Sequence, residues 1–150
     1  MDRFSEILYD LGKEIGVDLY PDENRICQLN YDGKLHLQIQ YDETKDLLLF
    51  ASFLIEVPAG KYRETLFKEA LKSNAQYPRI GTLAYSGRNN QLTLFAYYPG
   101  KEHSIIKVFE FLKQFIDKGV AWKEAVAQGG TLPSSSESAP PRGGMFGLKP

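Results

Sequence analysis

The chain has one cysteine, Cys27, and two histidines, His36 and His103, in 150 residues. A lone cysteine excludes an intrachain disulfide and any CxxC pair for zinc or redox work, and it suits a reducing compartment. Cys27 sits in a strand-like run and reads as a small core residue. Nothing nearby in the sequence offers it the base that a thiol nucleophile needs. His36 falls on the polar side of a strand and His103 just before the last helix, so each reads as a solvated surface residue. Gly81 and Gly87 bound a strand without forming a GxGxxG or P-loop pattern, which excludes a nucleotide signature. Asp42, Glu43 and Asp46 cluster without the spacing of a calcium loop and read as a wet turn. No catalytic residue, metal site or cofactor is therefore expected, and the chain reads as a binding protein, not an enzyme.

Excess charge is missing too. Eighteen Lys and Arg face nineteen Asp and Glu, for a net charge of −1 and a pI near 6.1. No global basic field invites nucleic acid or an anionic membrane. No apolar run approaches the ~20 residues of a membrane-spanning helix. The opening MDRFSEILYDLGKEIGV is charged and amphipathic, unlike a secretory signal. A soluble, cytoplasmic protein is expected.

What the chain does have is an ordinary globular composition, 43% apolar and 25% charged, at a length that suits one domain. Phe4, Ile7, Leu8, Leu11 and Ile15 mark one face of a first helix, with Asp2 placed to cap it and Gly16 to end it. RICQLNY (25–31) and the cleanly alternating KLHLQIQY (34–41) flank Asp32-Gly33, a strong hairpin signal. DLLLFASFLIEV (46–57) forms a third strand. A second helix runs from Tyr62 to Asn74 with Leu66, Phe67, Ala70 and Leu71 as its apolar stripe. Two strands, 81–86 and 90–98, precede a third helix capped by Ser104 and running from Ile105 to about Ala127. From residue 129 the chain becomes Gly-, Pro- and Ser-rich and reads as a disordered tail to 150. The expectation is an α+β fold in the order α-β-β-β-α-β-β-α over residues 1–128, an antiparallel twisted sheet packed by helices.

The strands carry more apolar surface than one covered face needs. In 46–57 one parity reads Leu47, Leu49, Ala51, Phe53 and Ile55, and the other Leu48, Phe50, Ser52 and Leu54. The first set is the more apolar and is expected to face the chain's own helices, leaving Leu48, Phe50 and Leu54 for another chain. Thr93, Phe95 and Tyr97 lie opposite Leu92, Leu94 and Ala96 in the fifth strand. Each large apolar side chain left in water forgoes about 1.5–3 kcal/mol of burial, so such a patch points to a partner surface. A homodimeric binding module is the expectation.

The order of these elements resembles the class I type III secretion chaperones, the CesT/Tir-chaperone family of Gram-negative bacteria. The resemblance covers residues 3 to 127 and rests on FSEILYDLGKEIGV, RICQLNYDGKLHLQIQY, DLLLFASFLIEVP, LFKEALKSNA, IGTLAYSGRNNQLTLFAYYP and FEFLKQFIDKGVAWKEAV taken in sequence. It implies a homodimer without ATPase activity that holds the N-terminal segment of a secreted effector extended and secretion-competent. Carried onto this chain, it implies effector contacts at Phe4, Leu8, Leu48, Phe50, Phe95 and Tyr97. Dimer contacts follow at Leu66, Phe67, Ala70, Leu71 and Leu83. A secretion-apparatus component or a paralogous chaperone are further expected partners. The near-neutral charge and the tail depart from the family pattern. A YbjN-like adaptor, or one subunit of a heterodimeric chaperone, is the alternative reading.

Overall fold

The computed structural model describes residues 2–100 and 104–134. His103 and residues 135–150 of the expected tail lie outside the described residues. The elements are α1 (Arg3–Ile15), β1 (Cys27–Tyr31), β2 (Leu35–Asp42), β3 (Leu47–Glu56), α2 (Lys61–Asn74), β4 (Thr82–Ser86), β5 (Gln91–Pro99) and α3 (Ile105–Gln128). This is the order read from the sequence. The strands form one antiparallel sheet ordered β1-β2-β3-β5-β4.

Local chemistry explains most boundaries. The Asp2 carboxylate accepts from the Ser5 N–H, and Gly16 ends α1 in the left-handed conformation at φ 92°. Asp32 and Gly33 both have positive φ, 54° and 70°, and the Lys34 N–H donates to the Tyr31 carbonyl at 2.8 Å. That is the tight hairpin whose twist matches the flanking strands. Ser104 caps α3 through the Lys107 N–H.

One face of the sheet carries the core. Leu35, Leu37, Ile39, Leu48, Phe50, Leu83, Leu92 and Leu94 are all buried there, where α3, itself packed by α1, covers β2 and β3, and α2 packs on β4. Phe50 packs against Phe111 and Phe115 of α3, with ring centroids 5.9 and 6.0 Å away. A Cβ on Gly119 would lie 3.1 Å from a Leu35 methyl, so a glycine there lets α3 approach the sheet closely.

The expected parity of β3 is reversed. Leu48, Phe50, Ser52 and Leu54 are the buried set, while Phe53 is 54% exposed. The cause is register. Ile39 pairs with Phe50 and Tyr41 with Leu48, and directly opposed residues of an antiparallel pair share a face. The alternating strand β2 thus decides which side of β3 turns inward, whatever the richer parity of β3 itself.

The expected domain end at residue 128 also moves. Leu132 is 2% exposed, and Ser134 Oγ donates to Glu69 Oε1 at 2.6 Å. Tyr62 Oη donates to the Gly130 carbonyl at 2.8 Å. Residues 129–134 therefore fold back onto α2.

Candidate protein-binding surfaces

Three surfaces remain once the core is closed. The first is the outer face of the sheet. Cross-strand pairing puts Leu49, Ala51, Phe53, Thr93, Phe95 and Tyr97 on it, beside Gln28, Gln38, Gln40 and His36 of β1 and β2. Among the described strand positions its carboxylates are Asp42 and Glu56, at opposite ends of the strands, and none holds a lysine or arginine. A solvated sheet face normally alternates with charged residues. This one is aromatic at its centre, with Phe95 and Tyr97 edge-on at 6.2 Å and Tyr97 58% exposed.

The second is a groove of about 370 Å³ between the end of α1, edge strand β1 and α3. Ile15, Val17, Leu29, Phe109, Leu112 and Ile116 supply its apolar wall, and Asp32, Lys113 and Asp117 its polar rim. Strand β1 is paired only on its β2 side, which leaves backbone donors and acceptors beside the groove.

The third is the flank of α2 and β4. Here the other sheet edge is partly closed by the chain itself. Asn74 donates from Nδ2 to the Leu83 carbonyl at 2.8 Å and accepts the Leu83 N–H on Oδ1 at 2.9 Å. Its amide thus mimics a neighbouring strand. Beside it, Arg63 lies 4.9 Å from both the Phe67 and Tyr85 rings, and these rings meet edge-on at 5.2 Å. Leu71 is 70% exposed.

The sequence-derived contact residues fall into two groups. Phe4, Leu8, Leu48 and Phe50 are between 0 and 2% exposed and belong to the core, so they present no free surface. The groove that α1 does contribute to uses Ile15 and Val17 instead. Phe95 and Tyr97 lie on the outer face as expected, joined there by Leu49 and Phe53, which the parity reading had turned inward. Among the dimer residues, Leu66, Ala70 and Leu83 are core, Phe67 is half-buried and Leu71 projects into solvent. The second helix buries Leu66, Glu69, Ala70 and Ser73, because its inward stripe includes a carboxylate and a hydroxyl that no hydropathy pattern selects.

The titratable groups serve structure. Burial pushes the Cys27 thiol up, away from the reactive thiolate. The hydrogen bond to Asp46 raises the Tyr41 phenol, and burial raises that of Tyr62. Hydrogen bonds from Ser5, with Arg25 beside them, hold the Asp2 carboxyl below its ordinary value. Among the described residues no three His, Cys, Asp or Glu side chains converge as a metal site. No helix among them is long and apolar enough to cross a membrane.

The model of the Tir chaperone protein (CesT) family matches residues 6–123. The chain belongs to the CesT family. No curated protein matches it by sequence. Solved structures with this fold include the HopA1–SchA chaperone–effector complex, at 17% identity and a TM-score of 0.67 over 82% of this chain and 94% of that one. The ExsC–ExsE complex aligns at 16% identity and a TM-score of 0.71, over 84% and 97%. YbjN from E. coli aligns at 13% identity and a TM-score of 0.60, over 83% and 92%. The resemblance to the CesT family read from the sequence therefore holds, and it supports an effector-binding chaperone. The folded-back segment 129–134 lies beyond the family match.

Proposed function

We propose that this CesT-family chain is a cytoplasmic type III secretion chaperone. It binds the N-terminal segment of one or more secreted effectors in an extended state and carries out no catalysis. The observation that carries this is the family match over residues 6–123. The aromatic face, without charge at its centre, and the apolar groove beside an unpaired strand edge supply what an extended segment needs: pockets for side chains and a partner for its backbone. Cargo contacts are assigned to Leu49, Phe53, Phe95 and Tyr97 on the sheet and to Leu29 and Phe109 at the groove. A homodimer forms through the α2–β4 flank, with Leu71, Phe67 and Tyr85 at its seam.

Co-expression with N-terminal segments of type III effectors tests the reading. Wild type yields soluble complexes, and Phe95→Asp stays folded while losing them. Full capture by a folded Phe95→Asp chain would remove the sheet face from the cargo site. The shared fold of YbjN favours one second reading, an adaptor without a secretion role. Absence of any soluble effector complex, with a folded wild-type chain, would support it.

A further inference from the structure

The two edges of the sheet are built differently. The order β1-β2-β3-β5-β4 leaves β1 and β4 each with one side that no strand pairs. Along an antiparallel strand the N–H and C=O of one residue point together to one side, and those of the next residue to the other. In β4 (Thr82–Ser86) Leu83 turns both groups to Asn74, so Leu83 and Tyr85 are the residues whose backbone faces away from β5. The Asn74 amide takes both groups of Leu83, donating from Nδ2 at 2.8 Å and accepting on Oδ1 at 2.9 Å. Those are the two bonds an opposed residue of an added strand would make. An added strand would lie about 4.8 Å from β4, in the space this side chain fills. Asn74 is the last residue of α2, and Arg79 Nη1 donates to its carbonyl at 2.9 Å, so the amide hangs from a fixed backbone. At the opposite edge the apolar groove lies beside β1, and among the described residues no side-chain amide pairs with its outer backbone.

We propose that Asn74 is an edge stop: it closes β4 to added strands, so that the backbone of a bound segment pairs with this sheet along β1 alone. The β1 half of the statement rests on the reading of the chain as a binder of extended segments. An unpaired strand edge takes up extended backbone with little regard to side chains, a second copy of the same chain included. Two open edges would let a segment bind at either, or let copies join edge to edge into larger assemblies. With β4 filled, each chain accepts one added strand. The α2–β4 flank then meets a second copy through side chains such as Leu71 and Tyr85, which are 70% and 42% exposed, without a sheet running between the copies. An asparagine suits the task because its amide carries a donor and an acceptor side by side, as a peptide group does.

Asn74→Ala in the full chain tests the stop, with Asn74→Ser as the milder variant should the first not fold; neither side chain can bridge both groups of Leu83. Wild type should scatter light as one species whose mass does not change with concentration. The folded variant should add larger species that grow with concentration. NMR of mixed labelled and unlabelled copies should then show backbone contacts between chains at Leu83 and Tyr85. In dilute variant the Leu83 N–H should exchange several-fold faster while that of Phe50, in the core, is unchanged, which separates an opened edge from general unfolding. A folded variant that keeps the wild-type mass at every concentration overturns the stop, as do backbone contacts between chains at Tyr85 in wild type. In a wild-type complex with an effector's N-terminal segment, intermolecular backbone contacts should run along β1. Contacts on β4, or on neither edge, overturn the proposal, while the capture itself upholds the cargo reading. If wild type captures no effector segment but the variant joins copies through β4, the cargo reading falls and the stop stands as a guard against self-pairing.

Discussion

Phe50 and Tyr97 sit on neighbouring strands, and both could be offered to a partner on composition alone. Phe50 is enclosed by two phenylalanines of α3, whereas Tyr97 is more than half in water. Phe50→Ala should therefore cost about 3–5 kcal/mol. Tyr97→Ala should stay within about 0.5 kcal/mol, as exposed sites do. Chemical denaturation of the two variants checks this, and equal costs would mean the faces are assigned wrongly. Asp2 makes a prediction about pH. Its carboxyl is held below the unfolded value of about 3.9 by the Ser5 hydrogen bonds. The folded chain therefore holds that proton less tightly, so the cap's contribution is full above the unfolded pKa. It is lost as pH falls through the folded one. Thermal melts from neutral to acid pH should show wild type losing more stability than Asp2→Asn, which keeps a capping oxygen without a charge.

At the scale of elements, α2 is held by contacts from three directions. Asn74 clamps its end to β4, and Arg63 near its start donates to Asn90 Oδ1 at 3.0 Å. Residues 129–134 tie its remaining flank through Tyr62, Glu69 and the buried Leu132. Deleting residues 135–150 should leave the melting temperature unchanged. Deleting 129–150 should lower it by several degrees, since burying a leucine side chain is worth about 1.5–3 kcal/mol and the Ser134 bond adds to it. Equal melting of both truncations would show that the folded-back segment contributes nothing. Its Gly/Pro/Ser composition hid this contact, because one leucine and one serine do not make a periodic signal. Helix limits were legible for the opposite reason. Asp2, Gly16 and Ser104 act within a turn of their own position, so local sequence contains what decides them.

For the whole molecule the central expectation is self-association through the α2–β4 flank. Light scattering should give twice the 17.0 kDa chain mass, and Leu71→Asp should halve it without lowering the melting temperature. A monomeric wild type would place the partner surface elsewhere. Element order, antiparallel hairpins and the α+β class were determined by the sequence alone, through periodicities of 2 and 3.6 and through turn chemistry such as Asp32-Gly33. The absence of clustered histidines, cysteines and nucleotide loops was equally plain in the residues themselves. Only the tertiary structure decided which side of DLLLFASFLIEV is wet. Both parities of that strand are apolar, so its composition leaves the choice open. The pairing of Ile39 with Phe50, set by the β2–β3 turn, buries Phe50 and turns Leu49 and Phe53 outward. Register is a relation between strands, and a single strand's residues cannot contain it.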